Sequence, residues 1–290
     1  MSFLTLAWLL CTPVAAQPRI EQKMQPTLSQ AGAELYRFQE WALDSQDGAR
    51  HYRIYLAIPQ RPAPEAGYPV LYLLDGNAAF SDLDADALTA VAPDALPVLV
   101  AIGYQTDLRF DIPARIYDYT LPGGESEDAR GRRQGGADAF LDLLQGTIRP
   151  EVERRVTVDP QRQTLWGHSF GGLLVLHTLF TRPDSFTAYV AASPSLWWAP
   201  ELMAREERAF AARERHDPKR LLLLVGEKED ASRRAPGFPD DAAEQLASRL
   251  DALSTLEVHF ETLPGLSHGP MLTESLPFAL RWAVGQSLKP

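Results

Sequence analysis

The chain reads as an α/β protein: a mostly parallel central sheet, antiparallel strands at its N-terminal edge, and helices on both faces. Three observations predict this. Short continuous apolar runs, among them residues 69–74 (PVLYLL) and 221–226 (LLLLVG), suit strands buried on both faces. Segments of helical periodicity separate those runs, as parallel crossovers require. Two earlier segments instead alternate polar and apolar residues, the pattern of half-buried antiparallel strands.

Taken in order, residues 34–43 and 50–58 (RHYRIYLAI) are the edge strands, and 69–74 is the first buried one, ending at Asp75-Gly76-Asn77. A helix is expected over 80–91 and a strand over 96–103, followed by a loop-like segment rich in arginine and tyrosine over 107–133. The pattern then alternates: helix 136–154, strand 163–167, helix 171–181, strand 188–192, helix 200–215. Strand 221–226, helix 240–253, a second edge-type strand over 256–263 and helix 272–284 complete it. Ligands of such sheets sit beyond the carboxyl ends of the strands. Asp75-Gly76-Asn77, Gly103-Tyr104, Gly167–Ser169 and Gly226–Glu229 should therefore share one rim.

The 290 residues are 45% hydrophobic and 23% charged, with no linker or repeat, which predicts one domain over residues 17–290. A net charge of −10 argues against general affinity for nucleic acid or anionic membrane. Residues 1–16 read as a secretory signal: a short apolar run from Phe3 to Leu10, then Pro13 and small residues at Val14-Ala15-Ala16, too short for a membrane span. The single cysteine, Cys11, lies within it, so a processed chain has none, in keeping with a periplasmic or secreted protein. No metal-ligand spacing, dinucleotide fingerprint or P-loop is present, so neither a cofactor nor a metal is indicated.

Chemistry enters at residues 164–180, TLWGHSFGGLLVLHTLF. Gly167-His168-Ser169-Phe170-Gly171 lies between a strand pattern and a helix pattern, the setting of a nucleophile elbow. A serine hydroxyl needs a base, and the base an orienting acid, in the chain order nucleophile, acid, histidine. Of six histidines, His268 fits, in a Gly-flanked loop directly after the last strand. His168 adjoins the serine but should point away from it, and His177 reads as helix packing. His51, His216 and His259 lie in an early strand, a charged loop and a late strand. The acid should follow LLLLVG, where Glu227, Glu229 and Asp230 all stand; Glu229 is preferred, with Asp230 and Glu227 as alternatives. The main-chain N–H of Phe170 and those of Gly76-Asn77 are the candidate oxyanion donors.

At these residues the chain resembles the esterase D group of α/β hydrolases, and within it the periplasmic ferri-siderophore (enterobactin-type trilactone) esterases. The resemblance runs from about residue 52 to the C-terminus. It rests on YPVLYLLDGNAAF (68–80), RIYDYTLP (115–122), GHSFGGL (167–173), SPSLWW (193–198), GEKE (226–229) and Ser267-His268-Gly269. It implies an α/β-hydrolase fold, with Ser169 as nucleophile, His268 as base, Glu229 as triad acid, and Asn77 and Phe170 as oxyanion donors. The implied substrate is the trilactone of a catecholate siderophore such as enterobactin, taken in its ferric form for iron release; that complex is aromatic and multiply anionic, so arginines can pair with it and stack on it. Arg109, Arg115, Arg130, Arg132 and Arg133, with Tyr104, Tyr117 and Tyr119 interleaved, are then candidates for binding it, and Trp197 and Trp198 for walling the site. Arg130–Arg133 read equally as a solvated loop, and Tyr117, Asp118 and Tyr119 as loop braces. The competing readings are an esterase or acyltransferase for another acyl group, and a non-catalytic siderophore-binding module.

Overall fold

A computed structural model describes residues 22–213, 217–230 and 237–288. The proposed signal segment 1–16 and His216 lie outside the described residues. Eight strands form one sheet: β1 (Tyr36–Asp44), β2 (His51–Pro59), β3 (Tyr68–Leu73), β4 (Val98–Tyr104), β5 (Val158–His168), β6 (Ala188–Ala192), β7 (Lys219–Gly226) and β8 (Leu256–Leu263). Their spatial order is β1-β2-β4-β3-β5-β6-β7-β8. β1–β2 and β2–β4 pair antiparallel, and every later pair is parallel. The fold is that of an α/β hydrolase.

Strand alternation divides the core between two faces. In β3, Tyr68, Val70 and Tyr72 join one buried cluster, while Leu71 and Leu73 join the other. Helices cover both clusters. In chain order they are α1 (Thr27–Ala31), α2 (Gly76–Asp82), α3 (Ala85–Leu88), α4 (Ile112–Tyr119), α5 (Ala137–Leu143), α6 (Arg149–Arg155), α7 (Phe170–Thr181), α8 (Pro200–Ala211), α9 (Ala242–Asp251), α10 (Met271–Glu274) and α11 (Leu276–Ala283). Among the described residues no helix is long and apolar enough to cross a membrane.

Departures from the expected elements have local causes. The helix expected over 80–91 starts earlier, at Gly76, and is interrupted at Leu83-Asp84, where Asp84 accepts the Ala87 N–H at 2.9 Å and caps α3. The helix expected over 136–154 widens into a π-turn at Leu144–Ile148. Pro150 lies just beyond; it has no N–H for the carbonyl of Gly146, and its ring crowds that carbonyl. The arginine-rich segment contains a helix that was not expected, α4. Asp111 caps it by accepting the Ala114 N–H at 3.0 Å, and Pro113 occupies its first turn. Last, β5 begins at Val158, five residues ahead of the expected start; the added residues, VDPQR, are mostly polar and carry no buried-strand pattern.

Candidate active site

Ser169 occupies the turn between β5 and α7 with φ 61° and ψ −116°, a strained conformation for a residue with a side chain. The elbow tolerates nothing larger than glycine at position 167, where a Cβ would stand 2.4 Å from the Gly171 carbonyl oxygen. The stretch after β6 clamps the turn: Ser169 N–H donates to Ala192 O at 3.0 Å, and Ser195 N–H donates to Ser169 O at 3.1 Å.

His268 approaches from the loop after β8, with Nε2 2.9 Å from Ser169 Oγ. Its Nδ1 faces Glu229 Oε2 at 3.4 Å. The other oxygen of Glu229 accepts the Gly226 N–H at 3.1 Å, which aims the carboxylate. Burial opposes the charge on Glu229. Hydrogen bonding to His268, the neighbouring Ser193 hydroxyl, the charge of His268 and the Gly226 N–H outweigh it and hold the carboxyl at about 2. Glu227 points elsewhere, accepting the Gly265 N–H at 2.7 Å, and Asp230 lines the cleft. With Glu229 as acceptor, His268 carries its proton on Nδ1 and receives the Ser169 hydroxyl proton at Nε2. The Ser195 hydroxyl, 3.2 Å away, then donates to Ser169 Oγ. Sequence reasoning did not single out Ser195; only its place in SPSLWW hinted at it.

His168 is buried, its ring 4.7 Å from that of His268. Burial, then proximity to His268, pushes its pKa well below the ordinary 6.5, so it is neutral. Its Nε2 donates to the His268 carbonyl at 2.8 Å, tying the histidine loop to the elbow.

Two helix N-termini meet beside the serine. Phe170 opens α7, and Gly76 and Asn77 open α2, so their main-chain N–H groups lack intrahelical acceptors. The two ends are close: a Cβ on Gly171 would lie 3.7 Å from Asp75 Oδ2. Gly76 is required by its packing on β4, where a Cβ would fall 2.5 Å from the Ile102 carbonyl carbon. The Asn77 side chain is fully engaged. Its Nδ2 donates to the carbonyls of Tyr104, Thr106 and Leu108, and its Oδ1 accepts the Tyr104 N–H at 2.9 Å. Asn77 is itself buried, so its main-chain N–H is the one group left for the expected oxyanion role.

Ser169 and His268 border a cleft of about 530 Å³, walled on one side by Trp197. Of the ten residues expected to bind substrate or wall the site, Trp197 alone is in its lining among the described residues. Arg109 is paired with Asp82 at 2.6 and 2.8 Å, and Arg115, through Nε and one Nη, with Asp75 at 2.7 and 2.8 Å, so one edge of each guanidinium already carries a carboxylate. Tyr104 is buried, and its hydroxyl donates to Asp118 at 3.0 Å. The Tyr117 ring lies between the guanidinium groups of Arg50 and Arg133, each 4.8 Å from its centre. Trp198 braces the 122–135 loop, donating to Gln134 at 2.8 Å. Arg130 is exposed at the tip of a hairpin in which Arg132 pairs with Asp128.

Residues 45–258 match the family model described as "Putative esterase". The chain is 35% identical over 288 residues to the apo-salmochelin esterase of Escherichia coli, covering 96% of this chain and 89% of that one. It is likewise 35% identical over 257 residues to the ferri-bacillibactin esterase BesA of Bacillus subtilis, covering 83% and 88%. Among solved structures, the enterobactin and salmochelin hydrolase IroE superposes with a TM-score of 0.73 at 35% identity, over 89% of this chain and 99% of that one. The chain belongs to this esterase family of α/β hydrolases.

Proposed function

We propose that the protein is a serine esterase that hydrolyses the ester backbone of a catecholate trilactone siderophore. The observation that carries the reaction is the continuous relay from Ser169 through His268 to Glu229, with contacts of 2.9 and 3.4 Å. The substrate class is supported by the relatives, named for hydrolysis of apo-salmochelin and ferri-bacillibactin.

Ser169 Oγ attacks the ester carbonyl while His268 Nε2 takes its proton, and Glu229 stabilises the imidazolium. The carbonyl oxygen, now an alkoxide, receives hydrogen bonds from the main-chain N–H groups of Phe170 and of Asn77 or Gly76. Collapse breaks the C–O bond, and His268 returns the proton to the leaving serine hydroxyl of the trilactone. Water, deprotonated by His268, then releases the acyl group from Ser169. Trp197 offers an aromatic wall for a catechol ring.

The Ser169→Ala protein should fold as wild type and lose ~10⁴-fold or more of its turnover of a tri-serine trilactone. Product analysis by liquid chromatography reads this out. Turnover retained by the variant, or a wild-type preference for small acyl esters over the trilactone, overturns the reading. Export to the periplasm or medium is supported by the signal-like residues 1–16, and N-terminal sequencing of the exported protein should begin near Gln17. An uncleaved start would refute it.

A further inference from the structure

The SPSLWW stretch after β6 sets a second hydroxyl against the nucleophile. Ser195 is buried, lines the cleft, and holds its Oγ 3.2 Å from Ser169 Oγ. Among the described residues this is the one hydrogen bond of that hydroxyl. The main chain fixes the approach: Ser195 N–H donates to Ser169 O at 3.1 Å, and Ser195 O accepts the Trp198 N–H at 3.0 Å. The turn that delivers it is strained. Ser193 holds φ 45°, a left-handed value that favours glycine, and its N–H donates to Leu224 O at 2.7 Å. Pro194 then packs on the first turn of α7, where its Cα would meet a Cβ on Gly172 at 3.0 Å. A backbone held this tightly aims Ser195 at one atom, the Oγ that forms and later breaks the bond to the acyl carbon.

What this hydrogen bond does depends on the state of the nucleophile. In the free enzyme Ser169 Oγ donates to His268 and accepts from Ser195. It keeps the second bond as it attacks, so the bond contributes about equally before and during acylation. In the acyl-enzyme Oγ is an ester oxygen, whose lone pair is delocalised into the carbonyl and accepts weakly. Deacylation reverses this. As water adds, Oγ regains its lone pair. As the C–Oγ bond then breaks, the electron pair stays on Oγ, and the His268 imidazolium gives it a proton. Ser195 keeps its own proton throughout and donates a hydrogen bond that is strongest while charge sits on Oγ. An interaction stronger in the transition state than in the ground state before it accelerates that step.

We propose that Ser195 is a catalytic residue of the second half-reaction, where it stabilises Ser169 Oγ as that atom leaves the acyl group. This rests on the serine esterase reading above and requires no particular acyl group.

The test uses Ser195→Ala and Ser195→Cys, each checked for cooperative thermal unfolding, with p-nitrophenyl acetate as substrate. Its activated leaving group makes acylation fast, so the burst of nitrophenolate reports acylation and the steady rate reports deacylation. Ser195→Ala should lower the steady rate about 10- to 30-fold and the burst rate by no more than about threefold. Inactivation by diisopropyl fluorophosphate makes a bond at Oγ without breaking one there, and should also stay within about threefold of wild type. Ser195→Cys keeps the shape with a weaker donor. Its steady rate should fall between those of wild type and Ser195→Ala, and it carries the test if the alanine variant does not fold. Equal losses in burst and steady rate would make Ser195 a support for nucleophile geometry and overturn the proposal. Unchanged rates in folded variants would overturn it as well. A wild-type protein showing neither burst nor inactivation would refute the esterase reading and this proposal with it. Neither probe is a siderophore, so failure of the siderophore assignment alone leaves the test standing.

Discussion

At the scale of single residues, the acid is where sequence and geometry part company. Glu227, Glu229 and Asp230 are chemically near-equivalent and within four positions of each other, and spacing ranks them only weakly. Side-chain direction separates them: the Gly226 N–H turns Glu229 toward His268, while Glu227 turns back to Gly265. At 3.4 Å the Glu229–His268 contact is long, and its loss should cost less than removal of a tightly bound triad aspartate, ~10⁴-fold. Glu229→Gln should therefore lower kcat about a hundredfold, and Glu227→Gln only a few-fold. The same variant carries a pH signature. A carboxyl lowered from 4.5 to about 2 adds stability that is fully present above pH 4.5 and lost as pH falls toward 2. Urea unfolding of wild type and Glu229→Gln should thus differ by at most on the order of 3 kcal/mol at pH 7, and converge near pH 2. A difference that does not change with pH would remove Glu229 as a charged partner.

At the scale of elements, the elbow's glycines are not equivalent, although the motif writes them alike. A Cβ on Gly171 would meet only ordinary contacts, Leu74 and Asp75 at 3.6 Å and beyond. One on Gly172 would stand 3.0 Å from both Ala192 O and Pro194 Cα, main-chain atoms that cannot easily yield. It is therefore Gly172, outside the five-residue motif, that lets α7 lie close to β6. Gly172→Ala should destabilise by about 1–3 kcal/mol, whereas Gly171→Ala should be neutral or gain up to about 1 kcal/mol from helix propensity. Thermal unfolding of the two variants measures this, and equal losses would contradict it. The strands were legible from their apolar runs to within a few residues, apart from the polar first half of β5. Helices were less so, since a proline and an aspartate cap divide two of them where periodicity alone runs on. The start signal of α4, Asp111 followed by Pro113, was present but hidden among arginines that drew a chemical reading instead. Those arginines illustrate a general limit: sequence displays a charge but not the Asp75 or Asp82 that meets it from 27 to 40 residues away.

At the scale of the molecule, net charge is −10 and the cleft shares its sign. Glu227, Glu229, Asp230, Asp240, Asp241 and Glu244 all line it. A ferric tris-catecholate carries several negative charges, while the iron-free ligand keeps its catechol protons at neutral pH. Repulsion from the acidic wall should thus give the iron-free trilactone the higher kcat/KM, with the gap narrowing as salt screens the charges. A salt-independent preference for the ferric form would run against this account.

The ties that build the site also set when it comes into being. Ser169 meets His268 across 99 residues, and His168 holds the same loop across 100. During synthesis the nucleophile, its elbow and both oxyanion segments are complete while the base is still unmade. A nascent or truncated chain ending before residue 268 carries the serine without the base that activates it. The enzyme is therefore silent until its last strand and loop have been translated and docked, and a truncation there also strips Met271, Leu276 and Leu280 from the core.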